Sequence, residues 1–433
     1  MRDFVVFAIV FGSLPFIFKR PVIGVLMFTW LSLMNPHRLA YGAAYAFPFA
    51  AVVAAATIIS LILTSQTRHL RVTPVVIILI VFMMWTTFTS LFALEADLAW
   101  AEWNRVMKTM LMILVAMVAL NTKQDIKAFA LVVALSIGFY GAKGGIFTVL
   151  SGGSYRVFGP ALSYIADNND LALAMVTTLP LIWYLRSVAS SFWFRLAFLG
   201  LALATLIAIV GSYSRGSFLA AGVMLAFLWL KSRAKITTGL VLVVVVSFVL
   251  LTMPEKWFER MSTIDDYKED ASAMGRINAW EFAINVANSS LTGGGFAVFT
   301  PRMFVVYAPD PLDSHAAHSI YFQVLGEHGY IGLMLFLALM LATWLTARNV
   351  RKLTETQADK KWAFDLVSMC QVSIIGYAAG GAFLTLAYFD LYYDLITLIV
   401  ALEKWLYLDS KKVTQSGEFD PILVASRPQG SSQ

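Results

Sequence analysis

Residues 128–150 read AFALVVALSIGFYGAKGGIFTVL, an apolar run in which Lys143 is the one charged side chain. At about 1.5 Å of rise per residue, a helix of that length covers the roughly 30 Å hydrocarbon layer of a bilayer. Helix is the natural conformation there, because lipid offers no partner for backbone N–H and C=O groups and a helix satisfies them within itself. Outward from this run the pattern repeats, at 44–64, 74–94, 104–120, 170–186, 193–211, 215–231, 236–253, 319–347 and 364–386. Weaker runs lie at 4–18 and 21–34, divided by Lys19, Arg20 and Pro21, and at 388–407, interrupted by Asp390 and Asp394. With 59% hydrophobic and 13% charged residues and a mean hydropathy of +0.74, the chain falls outside the soluble range. The expected fold class is all-α: a polytopic helical membrane protein with about twelve transmembrane helices and one long polar loop.

The expected organisation is a transmembrane region over 1–253, the loop with interfacial helices over 254–317, C-terminal transmembrane helices over 318–408, and a polar, disordered tail over 409–433. Apolar spans follow the first segment directly and no small-residue cleavage site is evident, so an ordinary cleaved signal peptide is not expected. Cys370, the single cysteine, lies within a span, which excludes an intramolecular disulfide and a cysteine-based zinc site.

Basic residues sort the connections into two faces. Arg68 and Arg71, Lys123 and Lys127, Arg186 and Arg195, Lys231, Arg233 and Lys235, and Arg348, Arg351, Lys352, Lys360 and Lys361 fall on every second connection, which marks that face as cytoplasmic. The opposite, periplasmic face then carries 35–43, 95–103, 151–169, the tight turn 212–214 and the loop 254–317.

On that outer face each basic residue is an exception to the rule. Arg156, Arg215, Arg276 and Arg302 are among the exceptions, joined by Lys143 about two-thirds of the way along its span. Lys143 either snorkels to the surface, pairs with Asp167 or Asp170, or meets an anionic substrate. For Arg156 a loop salt bridge and a ligand contact are both open. Arg215, in Gly211-Ser212-Tyr213-Ser214-Arg215-Gly216-Ser217, sits at the end of a turn only a few residues long, with serine donors around it. Its planar fork of donors suits phosphate oxygens, the alternative being a helix-end arginine on lipid phosphate.

The loop carries nine acidic residues against five basic ones, so its basic residues stand out. Ile277, Trp280 and Ile284 recur at helical spacing after Arg276, which predicts an interfacial helix with Trp280 at headgroup level. Gly293-Gly294-Gly295 is expected to end it. Near the end of the loop, Ser314-His315-Ala316-Ala317-His318-Ser319-Ile320-Tyr321 brings two of the chain's five histidines to the water–lipid boundary. His315 and His318, three apart, are expected to share a helix face. Metal binding with Asp310 or Asp313 as a third ligand, plain surface histidines, and general-base catalysis are the three uses open to them. His328 lies deeper, and Glu327 beside it is able to orient a partner.

Ser214-Arg215-Gly216, the run from Gly275 to Trp280 followed by the glycine cluster, and His318-Ser319-Ile320-Tyr321-Phe322-Gln323 ahead of Gly326-Glu327 resemble the O-antigen ligase superfamily, which also holds O-antigen polymerases and bacterial protein O-oligosaccharyltransferases. The resemblance implies a GT-C-like glycosyltransferase of the bacterial inner membrane. Such an enzyme takes a glycan from undecaprenyl pyrophosphate on the periplasmic face, with inversion and without metal or cofactor, and in the ligase proper the acceptor is the lipid A–core oligosaccharide. The resemblance places diphosphate binding on Arg215 and Arg276 and catalysis on His318, with Lys143, Arg156, His315 and Tyr321 as further candidates for substrate contact. Membrane lipid is an expected partner and nucleic acid is not. A polysaccharide or lipid transporter is the different-class alternative; it is disfavoured because the intramembrane charges cluster at one face and no inverted repeat is visible.

Overall fold

A computed structural model of the chain describes residues 1–64, 70–231, 253–262 and 271–415, with single positions between 235 and 247. The expected span at 236–253 therefore lies almost wholly outside the described residues, as do 263–270 and 416–433.

The described residues are helical almost throughout. In chain order the helices are α1 (Arg2–Lys19), α2 (Pro21–Met34), α3 (Phe49–Leu63), α4 (Pro74–Ser90), α5 (Ala96–Ala119), α6 (Lys123–Leu150), α7 (Asn168–Val188), α8 (Phe192–Gly211) and α9 (Arg215–Lys231). After these come α10 (Glu255–Ser262), α11 (Ala271–Ser289), α12 (Pro301–Tyr307), α13 (Ile320–Thr354), α14 (Lys361–Gly381) and α15 (Asp390–Gln415). Among the described residues five helices, α6, α7, α8, α13 and α14, are long and apolar enough to cross a membrane, and α2, α3, α4 and α9 are shorter apolar helices. Local chemistry sets several starts. Thr122 and Asp125 form a reciprocal capping box at α6, and Thr73 and Thr300 cap α4 and α12 ahead of Pro74 and Pro301.

The core runs along α7 and α15. Leu171 through Ile182 and Leu391 through Leu402 are buried nearly without interruption, the pattern of helices surrounded by others. α8 and α13 turn apolar side chains outward instead, Trp193, Leu203, Met334 and Leu341 among them. α6 packs on α8 through Gly141, Gly144 and Gly145, small residues that let helix backbones close in where lipid supplies no hydrophobic drive. Asp390 and Asp394 do not divide the last helix: Asp390 begins it, both are buried, and Ser32 donates to Asp390.

Two ends of the bundle differ in charge. At one, Arg20 meets Asp125 at 3.3 Å, Lys360 meets Asp409 at 2.9 Å, and Lys123 and Lys127 lie over the Trp362 ring. These come from alternate connections, as the sequence pattern requires. At the other end the connections 91–95, 151–167, 212–214, 290–319 and 382–389 meet. Leu94 N donates to Gly294 O at 2.9 Å, Val157 N to Gly211 O at 3.2 Å, and Tyr213 OH to Gly153 O at 2.5 Å.

Four expectations change in detail. The stretch 95–103 is the first part of α5 rather than loop. α15 continues through Asp409 to Gln415, into the stretch read as tail. α11 buries Ala279, Phe282, Ala283 and Val286, not the Ile277–Trp280–Ile284 stripe; Phe282 and Phe304 stack at 4.3 Å in a small core with Val298 and Met303. Trp280 turns into the protein, its Nε1–H on Ala317 O at 2.9 Å and its ring stacked on Phe322 at 4.9 Å.

α13 is bent at Gly329, whose φ of 66° and ψ of −172° break the helical ladder. The break leaves the carbonyls just before it without their usual N–H partners four residues on. The glycine cluster supplies replacements: Gly294 N donates to Gly326 O at 2.9 Å, Gly295 N to Glu327 O at 2.8 Å, and Trp85 Nε1–H to His328 O at 2.9 Å. A Cβ on Gly293 would stand 2.6 Å from Gly329 N, so this approach demands glycine.

Candidate active site

His318 lies at the meeting point of three elements. It precedes α13 in an irregular strap, 308–318, rather than on a helix, so it and His315 do not share a helical face. The strap is fixed by α11: Asn278 Nδ2 donates to Asp310 O at 2.9 Å and Asp313 O at 2.8 Å, and Asp310 N donates to Asn278 Oδ1 at 2.9 Å. His318 itself is held at a φ of 43°, a left-handed conformation that a residue with a Cβ seldom adopts. Thr385 Oγ1 accepts its N–H at 2.8 Å, and Trp280 takes the carbonyl of Ala317 before it.

The imidazole is half-buried, and burial, with the positive charges of Arg276 and His315 nearby, lowers its pKa to about 4; Asp167 pulls the other way. It is therefore neutral at pH 7. Arg276, His315 and Asp167 are all close enough to act on the ring.

His315 is exposed and turned aside, its Nε2 2.6 Å from Asp313 Oδ1 and its ring against Gly275, where a Cβ would stand 2.5 Å from His315 Cδ2. Asp310 is engaged in its own turn, accepting Leu312 N at 3.1 Å. Among the described residues no group of three or more His, Cys, Asp or Glu is placed to hold a metal ion.

Arg215 is the first residue of α9 and is buried, with 9% of its surface exposed. Its turn is packed onto the start of α7: Asn168 Nδ2 donates to Ser212 O at 2.8 Å and Ser217 Oγ to Asn169 O at 3.2 Å. Ser214 Oγ receives Ser217 N at 3.3 Å, and Gly216 lies against Phe383. The same helix start places Asp167 near His318. Arg215, Asp167, His318 and Arg276 thus occupy one neighbourhood.

The other candidates have different surroundings. Lys143 is exposed on the outward stripe of α6 with Phe139, Ile146 and Leu150, a lipid-facing position from which a lysine snorkels. Arg156 is exposed in the 151–167 loop, near enough to Tyr213 to act on its hydroxyl. Tyr321 is tied to α14, its hydroxyl donating to Ala378 O at 2.9 Å.

The segment 382–389 gave no chemical signal in the sequence, yet it touches the Arg215 turn, His318, Gln323 and Glu327. Phe383 meets Gly216, Thr385 holds His318, Ala387 N donates to Gln323 Oε1 at 3.2 Å, and Tyr388 OH donates to Glu327 Oε2 at 2.6 Å. A cavity of about 290 Å³ opens beside it, with Phe299, Thr300, Ala316, Gln323, Glu327 and Thr385 in its walls.

With five helices long and apolar enough to cross a membrane and further shorter apolar helices among the described residues, the chain has the make-up of a multi-pass helical membrane protein. Residues 199–337 match the model of the family described as O-Antigen ligase, and residues 1–190 match one described as Family of unknown function (DUF5935). The first match makes residues 199–337 similar to the O-antigen ligase superfamily and supports a glycosyltransferase-like enzyme in broad terms. No curated protein matches the chain. All of Arg215, Arg276 and His318 fall inside the matched region.

Proposed function

We propose that this protein is an O-antigen ligase, transferring a polysaccharide from undecaprenyl pyrophosphate to the lipid A–core oligosaccharide on the periplasmic face of the inner membrane. The observation that carries this reading is a neutral, half-buried His318 beside Arg276, at the end of the bundle where the Arg215 turn also lies. Arg215 and Arg276 bind the diphosphate as planar forks and stabilise the charge it gains on leaving. His318 takes the proton from the acceptor hydroxyl. The new bond joins that oxygen to the anomeric carbon from the face opposite the leaving group. The bond from that carbon to the phosphate oxygen breaks with its electron pair, leaving the lipid diphosphate, and the proton rests on the imidazole. The activated donor supplies the free energy, so no nucleoside triphosphate is required.

The test is transfer by purified protein given lipid-linked glycan and, in separate reactions, lipid A–core, a second repeat unit, or a peptide. Glycosylation of lipid A–core supports the ligase; glycosylation of the repeat unit instead makes the protein a polymerase, and of the peptide, a protein glycosyltransferase.

A further inference from the structure

The cavity beside His318 has a chemistry that diphosphate binding does not account for. No lysine or arginine lines it, so its walls offer a phosphate no counter-charge. Glu327 is held rigidly: Oε1 accepts Ala297 N at 3.1 Å, Oε2 accepts Tyr388 OH at 2.6 Å, and the Gln323 side chain also bonds to it. A carboxylate oxygen accepts more than one hydrogen bond, so this carboxyl has acceptor capacity left for a ligand. The Thr300 and Thr385 hydroxyls stand on other walls, and Phe299 offers an aromatic edge or face. Fixed acceptors, hydroxyls that both give and take, and an aromatic surface are the groups that recognise a sugar ring, whose hydroxyls radiate from an apolar C–H face.

Position gives the second half of the argument. Along 382–389 the order is Phe383 at the Arg215 turn, then Thr385 at His318, then Ala387 and Tyr388 at Gln323 and Glu327. The cavity therefore adjoins His318 through Ala317 and Thr385, next along the segment from the contact with the Arg215 turn.

We infer that this cavity is a subsite for a sugar ring of the acceptor, with Glu327 and Gln323 as positioning residues that present one ring hydroxyl to His318. This rests on the transferase reading above, and it commits the acceptor to a carbohydrate rather than a peptide.

The experiment uses the full chain with Cys370→Ala and Ala316→Cys, and measures alkylation at 316 by a water-soluble maleimide. The probes are a lipid-free core oligosaccharide, farnesyl diphosphate as a donor mimic, and a serine-containing peptide. The oligosaccharide should slow alkylation severalfold. Glu327→Gln and, separately, Gln323→Leu should each raise the oligosaccharide concentration needed by about threefold to tenfold, as for loss of one hydrogen bond. In the transfer assay the same variants should raise the acceptor KM and leave the donor KM unchanged. Should Glu327→Gln fail to fold, as judged by its melting in detergent, Gln323→Leu carries the test. Protection by farnesyl diphosphate or by the peptide in place of the oligosaccharide, or no protection at all, overturns the assignment. Oligosaccharide protection without glycan transfer would leave the subsite standing and remove the ligase reading; transfer to lipid A–core without protection does the reverse.

Discussion

Acidifying a transfer assay from pH 7 to pH 5 separates the environment of His318 from that of an ordinary histidine. Burial first, and then Arg276 and His315, lower its pKa to about 4. A lowered pKa means the neutral, proton-accepting form persists above that value and is lost as pH falls through it. At pH 5 a base of pKa about 4 is about nine-tenths neutral, whereas one at the reference value of about 6.5 is only about 3% neutral. Activity at subsaturating donor, which reports the free enzyme, should therefore keep about thirty times more of its plateau at pH 5 than an unperturbed histidine allows. Bound diphosphate offsets the charge of Arg276, so the acid limb of kcat should lie higher than that of kcat/KM. Arg276→Ala should raise the limb of its residual kcat/KM, while Arg276→Lys should leave it low. His318→Ala should cut turnover by about 10²–10⁴-fold and abolish the limb. A wild-type kcat/KM limb near pH 6.5 refutes the environment drawn for His318, and the same limb surviving in His318→Ala refutes the assignment of the base.

Arg215→Ala and Arg276→Ala should each weaken binding of undecaprenyl pyrophosphate and suppress transfer, with Lys only a partial replacement because a point charge lacks the fork; wild-type lipid affinity in either variant removes that residue from the diphosphate role. His315→Ala should be much milder than His318→Ala and chelators without effect, so metal-restorable inhibition by EDTA would return the histidines to a metal site. In a Cys370→Ala background, Ser154→Cys and Leu312→Cys, both exposed at the loop end, should react with an impermeant thiol reagent in intact spheroplasts while Glu355→Cys reacts only after lysis; the opposite pattern inverts the orientation. Gly293→Ala should lower the melting temperature and the activity together, since its φ of 67° strains any side chain by about 1–2 kcal/mol before the clash with Gly329 is added; an unchanged melting curve contradicts the packing described.

Much of this was legible in the chain. Hydropathy located most of the helices because a bilayer imposes one length and one composition on a span. Lys123, Lys127 and Lys360, read as part of one face, gather at one end of the bundle. What escaped was set by contacts distant in sequence. Trp280 was legible as an amphipathic residue, but its partner Ala317 lies 37 positions away. The glycine cluster read as a helix stop, although its function in the fold is to satisfy the carbonyls freed at Gly329. Thr385 carried no signal at all: a threonine between apolar runs is ordinary until the backbone of His318 is found resting on it. Even the basicity of His318 was hidden, because it depends on burial and on neighbours from α11 and α7.

The segment 382–389 has a consequence in time. It leaves the ribosome after both arginines and the histidine, and it is anchored by what flanks it: Tyr377 OH donates to Leu386 O at 2.9 Å and Tyr393 OH to Ala387 O at 3.0 Å. Tyr393 belongs to α15, which fills the middle of the bundle. A nascent chain that already displays the whole family-matched region therefore still lacks the piece that seats His318 and Glu327. On the ligase reading proposed above, the base would lack this support until the last helix enters the membrane.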